Sequence, residues 1–327
     1  MTIIGRDAIL NFLKKTHAKE KMPHALLFWG RRHSGKGALA LAVAQTLACR
    51  KGIFLGCGEC EACRDGSVLF NAHCIRPVSL EDNEDALQNI GIDAMRDALQ
   101  KIASTSLVGM PYVVIIERAE TLTGEAASIL LKTLEEPPQN VYFVLTAETK
   151  DAILPTIASR AVAIRLPAVE ISVFEKYLAE RYSDMSEAER GVLARFAQGL
   201  PGKFFAGLGD PLLIKDAQRA YSEAYALLSL PPYQSFQLVE KMLAAGSAPS
   251  DAIPRFFAIL RTLFLGPRTA RHTFALKIPD AFVKKFEERY TKERYLQIFS
   301  SLFRTHTLLS TTNVNQRLAF ENFLLEL

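Results

Sequence analysis

The sequence has no run of apolar residues approaching the length of a membrane-spanning helix. Its first residues, Met1-Thr-Ile-Ile-Gly-Arg-Asp7, lack the basic start and small-residue cleavage site of a secretory signal. A cytoplasmic location without a membrane partner is therefore expected. Net charge is nearly absent too: 39 Lys and Arg stand against 35 Asp and Glu, a surplus of 4 that does not by itself imply nucleic acid. Cysteine is scarce, five in 327 residues, and in a cytoplasmic protein these argue for metal or free thiols over disulfides. No internal repeat or low-complexity tract stands out. The remaining composition, 49% hydrophobic and 23% charged, is that of a globular protein long enough for two or three domains.

The most informative stretch is Leu26-Leu-Phe-Trp-Gly30-Arg-Arg-His-Ser-Gly35-Lys36-Gly37. An apolar run ends at Gly30, a short polar loop follows, and Ala38 to Ala48 reads as a helix. This is the strand, loop and helix of a P-loop, with Gly30, Gly35 and Lys36 in G-x-x-x-x-G-K spacing. The loop's backbone N–H groups and the helix N-terminus cradle phosphates, and the lysine reaches the outer ones. One part is missing. The residue after the lysine should carry a hydroxyl for magnesium, and here it is Gly37.

A second defect lies downstream. Tyr112-Val-Val-Ile-Ile116 has the form of a buried parallel strand running into acidic positions. A working ATPase of this type places an Asp there for magnesium and a following Glu to polarise water. Here those positions are Glu117 and Arg118. Glu117 can still face a metal-bound water, but the Arg118 guanidinium stays protonated and cannot act as a base. The surviving loop and Lys36 leave room for weak or absent magnesium-ATP binding, and no hydrolysis is expected.

Four of the five cysteines cluster: Cys49, then Cys57-Gly-Glu-Cys60-Glu-Ala-Cys63. Paired C-x-x-C spacings with a fourth thiol upstream can converge on one tetrahedral ion, which predicts a structural zinc module. His73 and Cys74 are spare candidates for the fourth ligand. Four thiolates would leave no open position for water, so the cluster is not read as catalytic.

The rest of the chain alternates. Residues 4–22 read as a helix closed by Pro23, Asn71 to Val78 as a short strand, and Leu80 to Asn89 as an acidic loop with some helix. Helices follow at Ile92 to Ala103 and Ala126 to Glu135, strands at Val141 to Thr146 and Ala163 to Leu166, and an exposed Ser159-Arg160 pair between them. Strands alternating with helices over 1–167 predict a doubly wound α/β domain. After Pro167 the pattern is helical, broken at Gly199 to Lys203, with a boundary near Asp210-Pro211. Residues 251–327 hold 12 Lys and Arg against 7 Asp and Glu, a surplus better read as a solvated surface than a DNA footprint. Phe256, Phe257 and Phe264 read as core.

In this order, Ile3-Ile-Gly5, Pro23-His-Ala25, the P-loop with its cysteine insertion, Leu130-Leu-Lys-Thr-Leu-Glu-Glu-Pro-Pro138, Leu154-Pro-Thr-Ile157 with Ser159-Arg160, and Asn313-Val-Asn-Gln-Arg-Leu-Ala-Phe-Glu321 resemble the delta-prime subunits of bacterial DNA polymerase III clamp loaders, within the AAA+ class. The resemblance covers essentially the whole length. It implies a P-loop (AAA+-like) domain over 1–167 with a four-cysteine zinc insertion at 49–63, a small helical lid over 168–208 and an all-α collar over 209–327. It also implies a hetero-pentameric ring with gamma/tau motor subunits and a delta subunit, acting through the assembly on the sliding clamp and primer–template DNA during replication. Such subunits are rigid partners that usually do not hydrolyse ATP. By the same match Arg160 is an arginine finger for the neighbouring ATPase, placed with the help of Ser159. The family often has Cys after that arginine, and this chain has Ala161. Thr146 and Lys203 fall where AAA+ ATPases sense nucleotide, although by themselves they read as a core Thr and a surface Lys. Two rivals are an active ATPase subunit of the same loader, which needs Ser or Thr at 37 and Glu at 118, and a nucleic-acid-binding zinc protein with a decayed P-loop.

Overall fold

A computed structural model describes residues 2–64, 72–77, 89–105, 111–244, 288–311 and 314–327, together with residues 253, 256, 257, 259, 260 and 284. Two compact units emerge, one of residues 1–169 with 200–202, the other of residues 170–199 with 203–327.

The first unit opens with α1 (Asp7–Ala18), β1 (Ala25–Trp29), α2 (Lys36–Ala48), the short α3 (Glu61–Arg64) and β2 (Ala72–Ile75). It continues with α4 (Ile92–Thr105), β3 (Tyr112–Ile116), a single 3₁₀ turn at Ala119–Thr121, α5 (Gly124–Glu135), β4 (Val141–Ala147), α6 (Pro155–Ala158) and β5 (Val162–Arg165). The five strands form one sheet in the order β2-β3-β4-β1-β5, every neighbouring pair parallel.

Alternation along the strands explains the layers. Leu27, Val114, Ile116, Phe143 and Leu145 face one side and pack with Met95, Ala98 and Ile102 of α4 and with Ala126, Leu130 and Leu134 of α5. Leu26, Phe28, Val113, Ile115 and Val144 face the other and pack with Leu13 of α1 and Leu39, Ala40 and Val43 of α2. Side chains point to opposite faces with period two, so strands buried on both faces must be apolar throughout. The expected α/β P-loop architecture is thus what the chain adopts. All strands being parallel, their carboxyl ends share one edge of the sheet, and the loops that follow them gather there.

In the second unit every described element is a helix: α7 (Ile171–Arg181), α8 (Glu187–Phe196), α9 (Pro201–Gly209, which begins in the first unit's segment), α10 (Pro211–Ser229), α11 (Pro232–Ala244), α12 (Lys292–Thr311) and α13 (Gln316–Leu325). Ser186 caps α8, and the Glu189 side chain accepts in turn from the Ser186 N–H. Phe174 stacks on Phe204 with ring centroids 4.7 Å apart. A larger cluster gathers Leu227, Val239, Phe256, Leu302, Phe320 and Phe323. Phe256 is fully buried and Phe257 packs partly against the cluster, as core residues should. Phe264, Asn313 and most of the acidic stretch 80–89 lie outside the described residues.

Most boundaries shift from expectation by a residue or two, and three places stand out. The first helix spans 7–18, not 4–22, because Glu20 takes a left-handed backbone, φ 53°, that no helix continues through. The strand expected over 71–78 is the shorter Ala72–Ile75. The helical break near 199–203 ends at Pro201, the first residue of α9, where a missing N–H costs nothing.

Candidate functional site

The P-loop follows β1. Gly30 has φ 154°, and a Cβ there would sit 2.5 Å from the Leu166 carbonyl oxygen, so only glycine fits. Gly35 caps α2 in the left-handed region, φ 92°, the turn that aims the helix N-terminus into the loop. The Lys36 ammonium donates to the carbonyls of Gly30 (2.6 Å) and Arg31 (3.0 Å). Burial pushes its pKa down, Glu148 and Glu120 oppose that, and Arg118 adds to it. The loop is also anchored from below. Buried Arg6 donates from Nη2 to the Ser34 carbonyl (2.9 Å) and from Nη1 to the Pro167 carbonyl (2.6 Å).

Gly37 faces the end of β3. A Cβ at position 37 would lie 3.7 Å from Glu117 Oε1, ordinary contact distance. Glu117 already has company: Arg76 Nη2 is 3.5 Å away and the Cys74 thiol donates to the same oxygen at 3.6 Å. Arg118 has a left-handed backbone, φ 55°, and its guanidinium lies 3.7 Å from Glu148. Its N–H donates to the hydroxyl of buried Thr146 at 3.0 Å, which places that threonine in the core, as its apolar context suggested. Lys203 is half-buried. Lys36, Gly37, Glu117 and Arg118 thus form one constellation in which Glu117 and Glu148 each have a cationic partner.

Arg160 lies just past α6. Its Nη2 donates to Glu135 Oε1 at 2.6 Å and its Nη1 to the Thr156 carbonyl at 3.0 Å. The Ser159 hydroxyl donates to the same carbonyl at 3.0 Å. Ser159 is exposed and Arg160 half-exposed, with Glu135 supplied by the end of α5.

The cysteines converge as their spacing predicts. The sulfurs of Cys49, Cys57, Cys60 and Cys63 all lie within 4.8 Å of one another. Zn–S bonds of about 2.3 Å in a tetrahedron separate the sulfurs by about 3.8 Å, so the set fits zinc with small adjustment. Cys57 Sγ accepts from the N–H groups of Cys60 (3.2 Å) and Glu59 (3.4 Å), and these bonds lower its pKa to about 6. Burial, with Cys60 beside it, pushes the Cys63 thiol up to about 11. Neither spare candidate joins the group. Cys74 turns to Glu117, and His73 Nδ1 lies 3.4 Å from Lys101 Nζ.

Three residues were not singled out by the sequence. Arg6, Arg76 and Glu135 each act through a partner far along the chain, and only Arg76 carried a local hint, a cation two residues beyond a strand cysteine.

A family model described as DNA polymerase III, delta subunit, matches residues 5–170, just over half of the chain. The DNA polymerase III subunit delta' of Pseudomonas aeruginosa is 34% identical over 162 residues, covering 49% of this chain and 48% of that protein. The subunit tau of Escherichia coli is 27% identical over 249 residues, 74% of this chain and 38% of that protein. The chain therefore aligns with less than half the length of these curated relatives. A DNA polymerase III gamma subunit-related protein of Thermotoga maritima superposes over 98% of this chain and 97% of its own at 16% identity, TM-score 0.49.

Proposed function

Because the chain belongs to the DNA polymerase III, delta subunit family, we propose that it is a delta-prime-like clamp-loader subunit: a hydrolysis-incompetent stator that completes a loader ring and lends Arg160 to a neighbouring ATPase. Similarity alone does not choose this role, since relatives called delta' and tau both align. Positions 37 and 118 favour it. A motor subunit needs a hydroxyl beside the metal and a carboxylate beside the water. This chain has Gly37 and an Arg118 lying against Glu148, and that pairing is the observation that carries the reading.

In this reading residues 168–208 act as a lid and 209–327 as a collar holding gamma/tau and delta partners in a five-membered ring. The assembly places the sliding clamp on primed DNA, in the cytoplasm. Cys49, Cys57, Cys60 and Cys63 hold a structural zinc that ties the loop after α2. Arg160 serves in trans, stabilising charge on the transferring phosphoryl group, with Ser159 anchoring the same turn through the Thr156 carbonyl.

The test is clamp- and DNA-stimulated ATP hydrolysis by a reconstituted loader carrying this chain or its Arg160→Ala form. Ring assembly is checked in parallel by size-exclusion chromatography. A fall approaching the roughly 10³-fold worth of an arginine finger, with the ring intact, supports the reading. Unchanged hydrolysis reduces the chain to a scaffold.

A further inference from the structure

Magnesium does not fit the residues beside this P-loop. The ion is ordinarily held by the hydroxyl after the lysine and by an acid at the end of a neighbouring strand, and it sheds water reluctantly, relying on carboxylates and phosphates. Gly37 supplies no hydroxyl. The space is there, since a Cβ would make ordinary contact with Glu117, so the hydroxyl is missing through residue choice and not through distortion. Glu117, the acid that follows β3, is already matched by Arg76 at 3.5 Å and by the Cys74 thiol.

We propose that this P-loop takes the phosphate chain of a nucleotide without a divalent cation, the Arg76 guanidinium supplying the positive charge that magnesium supplies elsewhere. Arg76 directly follows β2, so it stands on the carboxyl edge of the parallel sheet, the edge shared by the P-loop and Glu117. Its side chain is 66% exposed, and an ion pair so exposed is weak, which frees the guanidinium to turn from Glu117 to a phosphate. Arginine suits that task because its planar fork binds phosphate oxygens in pairs. Lys36 and the N-terminus of the 13-residue α2 provide the rest of the cradle. Within the loop, the buried Ser34 hydroxyl has no hydrogen-bond partner among the described residues and offers one more group to an incoming ligand.

The inference rests on the hydrolysis-incompetent reading above and assigns a ligand chemistry to the same loop. It is tested on the full chain by calorimetric titration with ATP, once with magnesium and once in buffer freed of divalent cations beforehand, with zinc content checked and phosphate release recorded throughout. The expected result is binding without magnesium, within about twofold of that in magnesium, and weaker by about tenfold in Arg76→Ala, the loss of one charge-assisted hydrogen bond. Glu117→Gln, which releases Arg76, is expected to tighten binding without magnesium. Inorganic tripolyphosphate is expected to compete. Binding only with magnesium, no binding at all, indifference to Arg76→Ala or a failure of tripolyphosphate to compete would each overturn the proposal. Rapid phosphate release by the purified chain would sink the stator reading instead, so the two failures are told apart.

Discussion

Arg6 shows how much one side chain can organise without announcing itself. It is 4% exposed, faces two carbonyls and no described carboxylate, and reaches a partner 161 positions along the chain. Burial lowers its pKa, but an arginine stays charged through any ordinary pH. A buried cation is costly to desolvate, and that cost offsets part of what its hydrogen bonds contribute. Arg6→Met should relieve that cost while leaving the Ser34 carbonyl buried and unpaired, worth about 1–3 kcal/mol, whereas the carbonyl of exposed Pro167 turns to water. The expected net loss is about 2 kcal/mol, read as a lower urea midpoint. An unmoved midpoint would mean that Arg6 anchors nothing. No sequence pattern flags this contact. A single arginine before a helix looks like surface, and only the fold brings Pro167 and Ser34 to it. The same holds for Glu135, which meets Arg160 across 25 positions.

Secondary elements were more legible, for a physical reason. β1, β3 and β4 are buried on both faces, so their sequences are apolar runs broken only by Thr146. Helix ends were less so, because a cap is decided by one residue's backbone, as at Glu20 and Pro201. The cysteine segment is legible through spacing alone, and geometry chose Cys49 over His73 and Cys74. That choice gives a prediction at this scale. Cys60→Ser should abolish stoichiometric zinc in metal analysis, and chelation of the unmodified chain should lower its melting temperature. Cys74→Ser should leave the zinc content unchanged. Zinc retained by the Cys60 variant, or lost with Cys74, would show that a different ligand set holds the ion.

For the chain as a whole, two groups differ in proposed duty: the P-loop with the paired acids beside it, and Arg160 at the end of α6. If the chain donates to a neighbour and consumes no ATP itself, damage to its own P-loop and damage to its arginine must have unequal effects on the assembly. In a reconstituted loader, Lys36→Ala should alter stimulated hydrolysis by less than about twofold, against the roughly 10³-fold scale of a lost arginine finger for Arg160→Ala. Equal losses would mean that the P-loop turns over after all. Repairing that loop should be correspondingly hard. Gly37→Thr restores a hydroxyl beside Glu117, but Arg118→Glu would set a new carboxylate against Glu148, where the arginine now lies 3.7 Å away. Like charges at such a distance oppose joint ionisation, and Arg76 would still hold Glu117. The double variant is therefore expected to show no phosphate release above background by the isolated chain. Release that follows Gly37→Thr alone would place the whole defect in one missing hydroxyl and make the pairing of Arg118 incidental.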